Sequence, residues 1–170
     1  MNLTNEDEST GFASTVATTK LGSAVCKTVL PNVPLQSLDI IERSIQKKYR
    51  SELWSPFIRG LKEFDLVKDG DKIAICISGG KDSFLLAKCM QEIQRHGDKK
   101  IELEYICMNP GFLDEVLEVI TNTGKRLGID IKFVKTNIFK IAGMQTKGAC
   151  YLCAKMRRGA LYEAAEKLRM

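Results

Sequence analysis

The chain has 170 residues, of which 44% are hydrophobic and 28% charged, and its formal net charge is +5. That composition excludes a disordered or fibrous chain and is enough for one hydrophobic core without disulfide staples. The longest strongly apolar runs, such as Ile73 to Ile77, are far too short to cross a bilayer.

The N-terminus opens on Glu6, Asp7 and Glu8, unlike a basic transit peptide, and no apolar block follows as in a secretory signal. A cytoplasmic protein with no membrane partner is expected. Residues 1–34 carry twelve Ser, Thr and Asn without sustained periodicity and read as a flexible tail. A helical segment is expected over residues 35–66. Leu38, Ile41, Ile45 and Tyr49 recur at helical spacing after Ser37 as N-cap. Ser55-Pro56 then reads as an N-cap and first helical residue, with Phe57, Ile58, Leu61 and Phe64 as the apolar stripe.

From residue 67 to 170 the pattern changes to strand and helix in alternation. Lys72 to Ile77 reads as a buried strand, followed by a Gly-rich loop and a helix over about Ser83 to Arg95 with Leu86, Cys89, Met90 and Ile93 inward. Ile101 to Met108 is a second strand, and Leu113 to Leu127 another helix. Ile129 to Val134 is a third strand. After an irregular stretch with Gly143 and Gly148, a last helix runs from about Leu152 to Leu168. Such alternation predicts an α/β fold with a parallel sheet and right-handed crossovers.

Between the first strand and its helix stands Ser78-Gly79-Gly80-Lys81-Asp82-Ser83. A loop there turns backbone N–H groups and the positive end of a helix dipole toward an anion. The glycines let the backbone approach phosphate oxygens, Lys81 adds a cation, and Ser78 and Ser83 add hydroxyl donors. Because Asp82 follows the lysine, this is not a Walker A loop, and the dinucleotide fingerprint's third glycine is missing. Asp82 beside the phosphates suggests a shared Mg²⁺. The hexapeptide resembles the pyrophosphate loop of the ATP pyrophosphatase group, which includes tRNA-thiolating enzymes, lysidine synthetase and NAD synthetase. The resemblance implies a Rossmann-like sheet, ATP held by its β- and γ-phosphates, and attack on the α-phosphate to give an adenylated substrate and pyrophosphate.

Six cysteines occur, at 26, 76, 89, 107, 150 and 153. Cys76 and Cys107 lie in apolar runs and Cys89 on an apolar helical face, so all three are expected in the core. Cys150 and Cys153 open the last helix at a spacing that lets two thiolates grip one metal. By itself that pair is equally open to a redox dithiol or a structural zinc. The run from Cys150 through Cys153 to Arg157, Arg158 and Gly159 resembles the two-thiocytidine branch of the tRNA thiolation enzymes, as do Leu35-Gln-Ser-Leu-Asp, Lys47-Lys-Tyr-Arg and Asn109-Pro-Gly-Phe. The resemblance covers roughly residues 35–170. It implies that Cys150 and Cys153, with a third cysteine farther on, hold a [4Fe–4S] cluster, and that Arg157 stabilises charge on the α-phosphate or the base. It also implies a sulfur donor such as a cysteine desulfurase.

Residues 125–170 carry eleven Lys and Arg against three acids, which suits a tRNA backbone. The expectation is therefore an ATP-dependent tRNA sulfurtransferase acting on cytidine, with Lys81, Asp82 and Arg157 catalytic. The competing readings are an adenylating ligase with a structural zinc and a nucleotide- and RNA-binding module without chemistry. The resemblance further implies strands beyond Met170, a Gly-His-His-x-x-Asp-like segment and the third cysteine. The sheet is thus expected to be incomplete, with its first strand at an open edge. Such a chain alone is expected to bind nucleotide weakly and hold a cluster poorly, or to pair with itself as a homodimer or with another chain.

Overall fold

The computed structural model describes residues 35–145 and 147–168. The expected tail over residues 1–34, and Cys26 within it, lies outside the described residues.

Ser37 precedes helix α1 (Leu38–Gln46) in extended conformation, with φ −66° and ψ 157°, although its hydroxyl makes no capping bond. The helix ends three residues short of Tyr49 because the winding widens. The Tyr49 N–H donates to the Ser44 carbonyl (2.9 Å), and the Trp54 N–H to that of Tyr49 (3.2 Å), each five residues back. Arg50–Trp54 is a π-helical turn. It runs directly into α2 (Ser55–Glu63), so Ser55, at φ −65° and ψ −43°, sits inside a continuous helical path and is not the expected cap. Pro56 keeps its place in the first turn of α2, where its missing N–H costs nothing.

Strands β1 (Lys72–Cys76), β2 (Glu102–Asn109) and β3 (Ile131–Lys135) pair in parallel in the order β1-β2-β3. Lys72 stands opposite Glu102, and Tyr105 opposite Ile131. As expected, β1 lies at an edge. Side chains alternate between the two faces of the sheet. On one face Ile75, Ile77, Tyr105 and Cys107 form a core with Phe84, Ala87 and Met90 of α3 (Lys81–His96) and Ile120 of α4 (Asp114–Arg126). Phe57 and Leu61 of α2 pack against the same core. Gly124 lets α4 approach β3, since a Cβ there would stand 2.6 Å from the Ile131 Cδ1. The molecule is an α/β protein of Rossmann-like build.

The other face is divided. Near the strands' amino ends it is polar, with Lys72 paired to Glu102 (3.0 Å) and Lys132 to Glu104 (2.7 Å). Toward their carboxyl ends Ile106 and Met108 are buried, as are Ile138 and Ala142 of α5 (Ile138–Gly143) and Ala164 of α6 (Ala149–Lys167). Helix α5 stands where an irregular stretch is expected; six residues are too few for a helical period to register in sequence. Helix α6 lies against β2 and leaves the outer strand uncovered on this face. Cys76 is consequently exposed, not in the core, whereas Cys89 and Cys107 are buried as expected. Burial pushes both of those thiols up to about 11, a nearby Glu92 adding to the effect at Cys89.

Helix α3 also differs from its expected face. Leu86 is exposed, while Lys88, Gln91 and Glu92 are buried. The Lys88 ammonium, 2% exposed, donates to Glu42 of α1 (2.5 Å), to the Gln91 side chain (2.7 Å) and to the Leu127 carbonyl closing α4 (3.1 Å). Gln91 in turn donates to the Gly128 carbonyl (2.9 Å), and Gln46 donates to Glu92. Arg95 completes the group at 2.8 Å from Glu42. A lysine of this kind is buried only because every one of its donors is used.

Burial alone would raise the Glu42 carboxyl, but the Lys88 ammonium and Arg95 guanidinium outweigh it and hold the group below its ordinary value of 4.5. A depressed carboxyl contributes stability that is present above the ordinary value and is lost as pH falls through the lowered one. Glu42→Ala, which strands a buried ammonium, should destabilise the fold by about 3 kcal/mol in urea titrations at neutral pH. The stability gap between the unsubstituted chain and Glu42→Gln should narrow as pH drops below 4.5. A gap independent of pH would show that Glu42 is not the titrating partner.

Candidate functional site

The end of β1 and the start of α3 are joined by the loop from Ser78 to Gly80. The helix begins at Lys81, two residues earlier than its periodicity indicates, so Lys81, Asp82 and Ser83 belong to its first turn. No side chain caps that turn, which leaves its backbone amides directed outward. Gly80 holds the extended N-cap conformation at φ −84° and ψ 157°. The loop is braced from within: the Ser83 hydroxyl donates to the Gly80 carbonyl (2.8 Å) and accepts from the Ser78 N–H (3.2 Å). The Ser78 hydroxyl lies 3.2 Å from that of Ser83. Lys81 and Asp82 pair at 3.0 Å with side chains 89% and 86% exposed.

The two glycines do different work. Gly79 turns at φ +85°, a conformation that side chains resist, and a Cβ there would stand 2.8 Å from the Ile120 Cδ1. Ile120 of α4 is thus the floor of the loop. At Gly80 a Cβ would meet only the Ser78 hydroxyl at an ordinary 3.6 Å. Packing within the protein therefore does not require a glycine at position 80.

Because the strands are parallel, the turns that follow β2 and β3 stand at the same end of the sheet as this loop. After β2 the Asn109 side-chain carbonyl accepts from the Gly111 (2.9 Å) and Phe112 (2.7 Å) N–H groups. Phe139 of α5 donates its N–H to the Pro110 carbonyl (2.8 Å) and meets the Phe112 ring edge-on at 5.8 Å. Asn109-Pro110-Gly111 is legible in the sequence as the end of the second strand, and these contacts lock that turn. From α5 the chain passes through Gly148, at φ +73°, into α6.

Cys150 and Cys153 both lie in the first turns of α6, exposed and half-buried respectively. They are soft thiolate donors at a spacing suited to one metal centre, and to that extent they fit two corners of a cluster or zinc site. Among the described residues no group of three or more His, Cys, Asp and Glu side chains is assembled for a metal. Arg157, one turn beyond Cys153, is half-buried and near enough to Cys107 in β2 for its charge to offset part of the burial that raises that thiol. Arg158, its neighbour, is exposed. His96, at the opposite end of α3, lies 3.8 Å from Glu92 and takes no part. No helix among the described residues is long and apolar enough to cross a membrane.

No family model matches the chain. Among curated proteins it is 33% identical over 144 residues to the tRNA-cytidine(32) 2-sulfurtransferase 1 of Francisella tularensis subsp. tularensis (strain WY96-3418), which covers 80% of this chain and 49% of the relative. It is 32% identical over 129 residues to the tRNA-cytidine(32) 2-sulfurtransferase of Ralstonia pickettii, covering 71% and 39%. A protein of the same name from Bdellovibrio bacteriovorus is 33% identical over 113 residues, covering 64% and 42%. The chain thus spans about half the length, or less, of these curated relatives.

Gly79→Ala tests the loop without touching a charge. A left-handed alanine costs about 1–2 kcal/mol, and Ile120 must also shift. Urea unfolding should show a loss of at least that size, with Gly80→Ala costing much less. Equal losses at the two positions would contradict the division of roles between them.

Proposed function

We propose that this chain, a homologue of the tRNA-cytidine(32) 2-sulfurtransferases, supplies the nucleotide-activating part of an ATP-dependent tRNA-cytidine thiolation enzyme. The observation that carries the reading is the uncapped first turn of α3 behind Gly79 and Gly80, with Lys81 and Asp82 free of the core. In this reading the amides of that turn and the Lys81 ammonium hold the β- and γ-phosphates of ATP, and Asp82 gives up its pairing with Lys81 to share a Mg²⁺ with them. Ser78 and Ser83, already braced against each other, add hydroxyl donors without reorganising.

The reaction proposed has two steps. The carbonyl oxygen of the target cytosine attacks the α-phosphorus, an O–P bond forms, and the bond to the bridging oxygen breaks with pyrophosphate as leaving group. Arg157 faces the negative charge that builds on the α-phosphate. A sulfide-level sulfur then adds at the activated carbon and AMP departs with the former carbonyl oxygen, so this step needs no external oxidant or reductant. When bound by Cys150, Cys153 and a donor outside the described residues, a [4Fe–4S] cluster would supply the site from which that sulfur is delivered; a cysteine desulfurase is the natural sulfur source, its persulfide sulfur being reduced to sulfide beforehand by two thiols that leave as a disulfide. The tRNA is the macromolecular partner, and the basic residues of 125–170 suit its backbone.

Three experiments bear on this. Mass spectrometry of tRNA nucleosides from a strain lacking the gene should show loss of 2-thiocytidine, and an unchanged level would sink the proposal. In the purified protein, Lys81→Ala should weaken ATP binding about tenfold or more, as expected for loss of a charge-assisted phosphate contact. Cys150→Ser and Cys153→Ser should each retain the fold by circular dichroism yet lose bound iron after anaerobic reconstitution. Full iron content in both variants would remove the cysteine pair from the ligand set.

A further inference from the structure

The N-terminal helices carry a groove that the nucleotide site does not use. Arg50, Trp54, Ile58 and Lys62 recur every four residues from the π-helical turn into α2, and with Arg59 they line an open cavity of about 610 Å³. Trp54, Ile58 and Lys62 are also walls of a second cavity of about 380 Å³, of mixed charge, which continues the groove to Glu92, His96, Asp98 and Lys99. Arg50, Arg59 and Lys62 are exposed and enter no ion pair with any of the described residues. Glu63 is the acid that borders the first cavity. Trp54, the one tryptophan of the chain, is half-buried and steadied by Phe57 at 6.3 Å between ring centroids. Phe57 in turn packs on the core, so the indole is a fixed wall and not a loose surface side chain.

The other side of the same π-helical turn faces the nucleotide loop. Tyr49, Glu52 and Leu53 share a cavity of about 540 Å³ with Lys81 and Phe84. A strand seated beside Trp54 is therefore one helical turn from the residues that adjoin the phosphate lysine. A rigid aromatic face flanked by unpaired cations is the arrangement that holds single-stranded nucleic acid: a base stacks on the ring and the flanking phosphates meet the cations.

We propose that this groove binds a single-stranded stretch of the RNA substrate, with Trp54 stacking on a base and Arg50, Arg59 and Lys62 on phosphates. The proposal rests on the reading of the protein as a tRNA-modifying enzyme and adds a contact surface remote in sequence from the basic residues of 125–170. Since Trp54 is the sole tryptophan, its emission reports on the groove directly. Titration of the unsubstituted chain with a tRNA transcript should quench that emission. The triple variant Arg50→Ala, Arg59→Ala, Lys62→Ala should bind the transcript about tenfold more weakly by filter binding, with the slope of log affinity against log salt flatter by about two. Its ATP affinity should stay the same. If the unsubstituted chain binds the transcript with no change in emission, and the triple variant binds it equally well, the groove proposal falls while the RNA reading stands. If the unsubstituted chain binds no RNA at all, both fall. Quenching by vesicles of anionic phospholipid but not by the transcript would assign the groove to a membrane surface and likewise overturn it.

Discussion

One buried ammonium organises this molecule. Lys88 lies two turns along α3 from the loop of Ser78 to Ser83, and its three donors reach α1, its own helix and the Leu127 carbonyl just past α4. Each of those bonds is a positional constraint, because a lysine withdrawn from water cannot leave any partner without a large desolvation cost. The helix that presents the loop is thus fixed against α1 on one side and α4 on the other. Since α4 supplies Ile120 beneath Gly79, the same constraint sets the height of the loop's floor. The packing of α1 is in this way linked to the geometry of a site to which it contributes no side chain.

The sheet distributes its tasks along the strands as well as between its faces. At the amino ends the face opposite α3 is closed by cross-strand ion pairs, Lys72 with Glu102 and Lys132 with Glu104. These are exposed or partly exposed pairs and add little stability. At the carboxyl ends the same face becomes apolar and receives α5 and α6. The asymmetry concentrates the loop, the Asn109 turn and the Cys150–Cys153 helix at one end. That is where open parallel sheets bind ligands, since helix N-termini and strand carboxyl ends converge there.

Edge position has a chemical consequence for β1. The loop from Ser78 to Ser83 leaves a strand whose outer N–H and C=O groups have no sheet partner among the described residues, and whose Cys76 stands exposed. Helices α3 and α4 occupy one face and α6 the other. The loop that follows β1 therefore stands at the edge of the sheet, beside the exposed Cys76.

Sequence alone determined a good deal: the parallel α/β order, the loop from Ser78 to Ser83, the burial of Cys89 and Cys107, and the edge position of β1. These are legible because each is local, resting on a hydrophobic period, a glycine pair at a strand's end, or the hand of a crossover. What the tertiary structure alone decided is what depends on neighbours distant in the chain. A lysine in a helical pattern reads as solvated, and only the arrival of Glu42 and the Leu127 carbonyl makes burial of Lys88 tolerable. Cys76 reads as core because its run is apolar, yet a strand's second face is buried only if a helix reaches it, and α6 stops at β2. The π-helical turn at Arg50–Trp54 has no period of its own to detect, although it aligns Trp54 with its three cations. Ile120 gives no functional sign until folding sets it under Gly79. Composition and period record what one residue prefers; the cost of burying a charge or leaving a face open is fixed by which other segments fold against it.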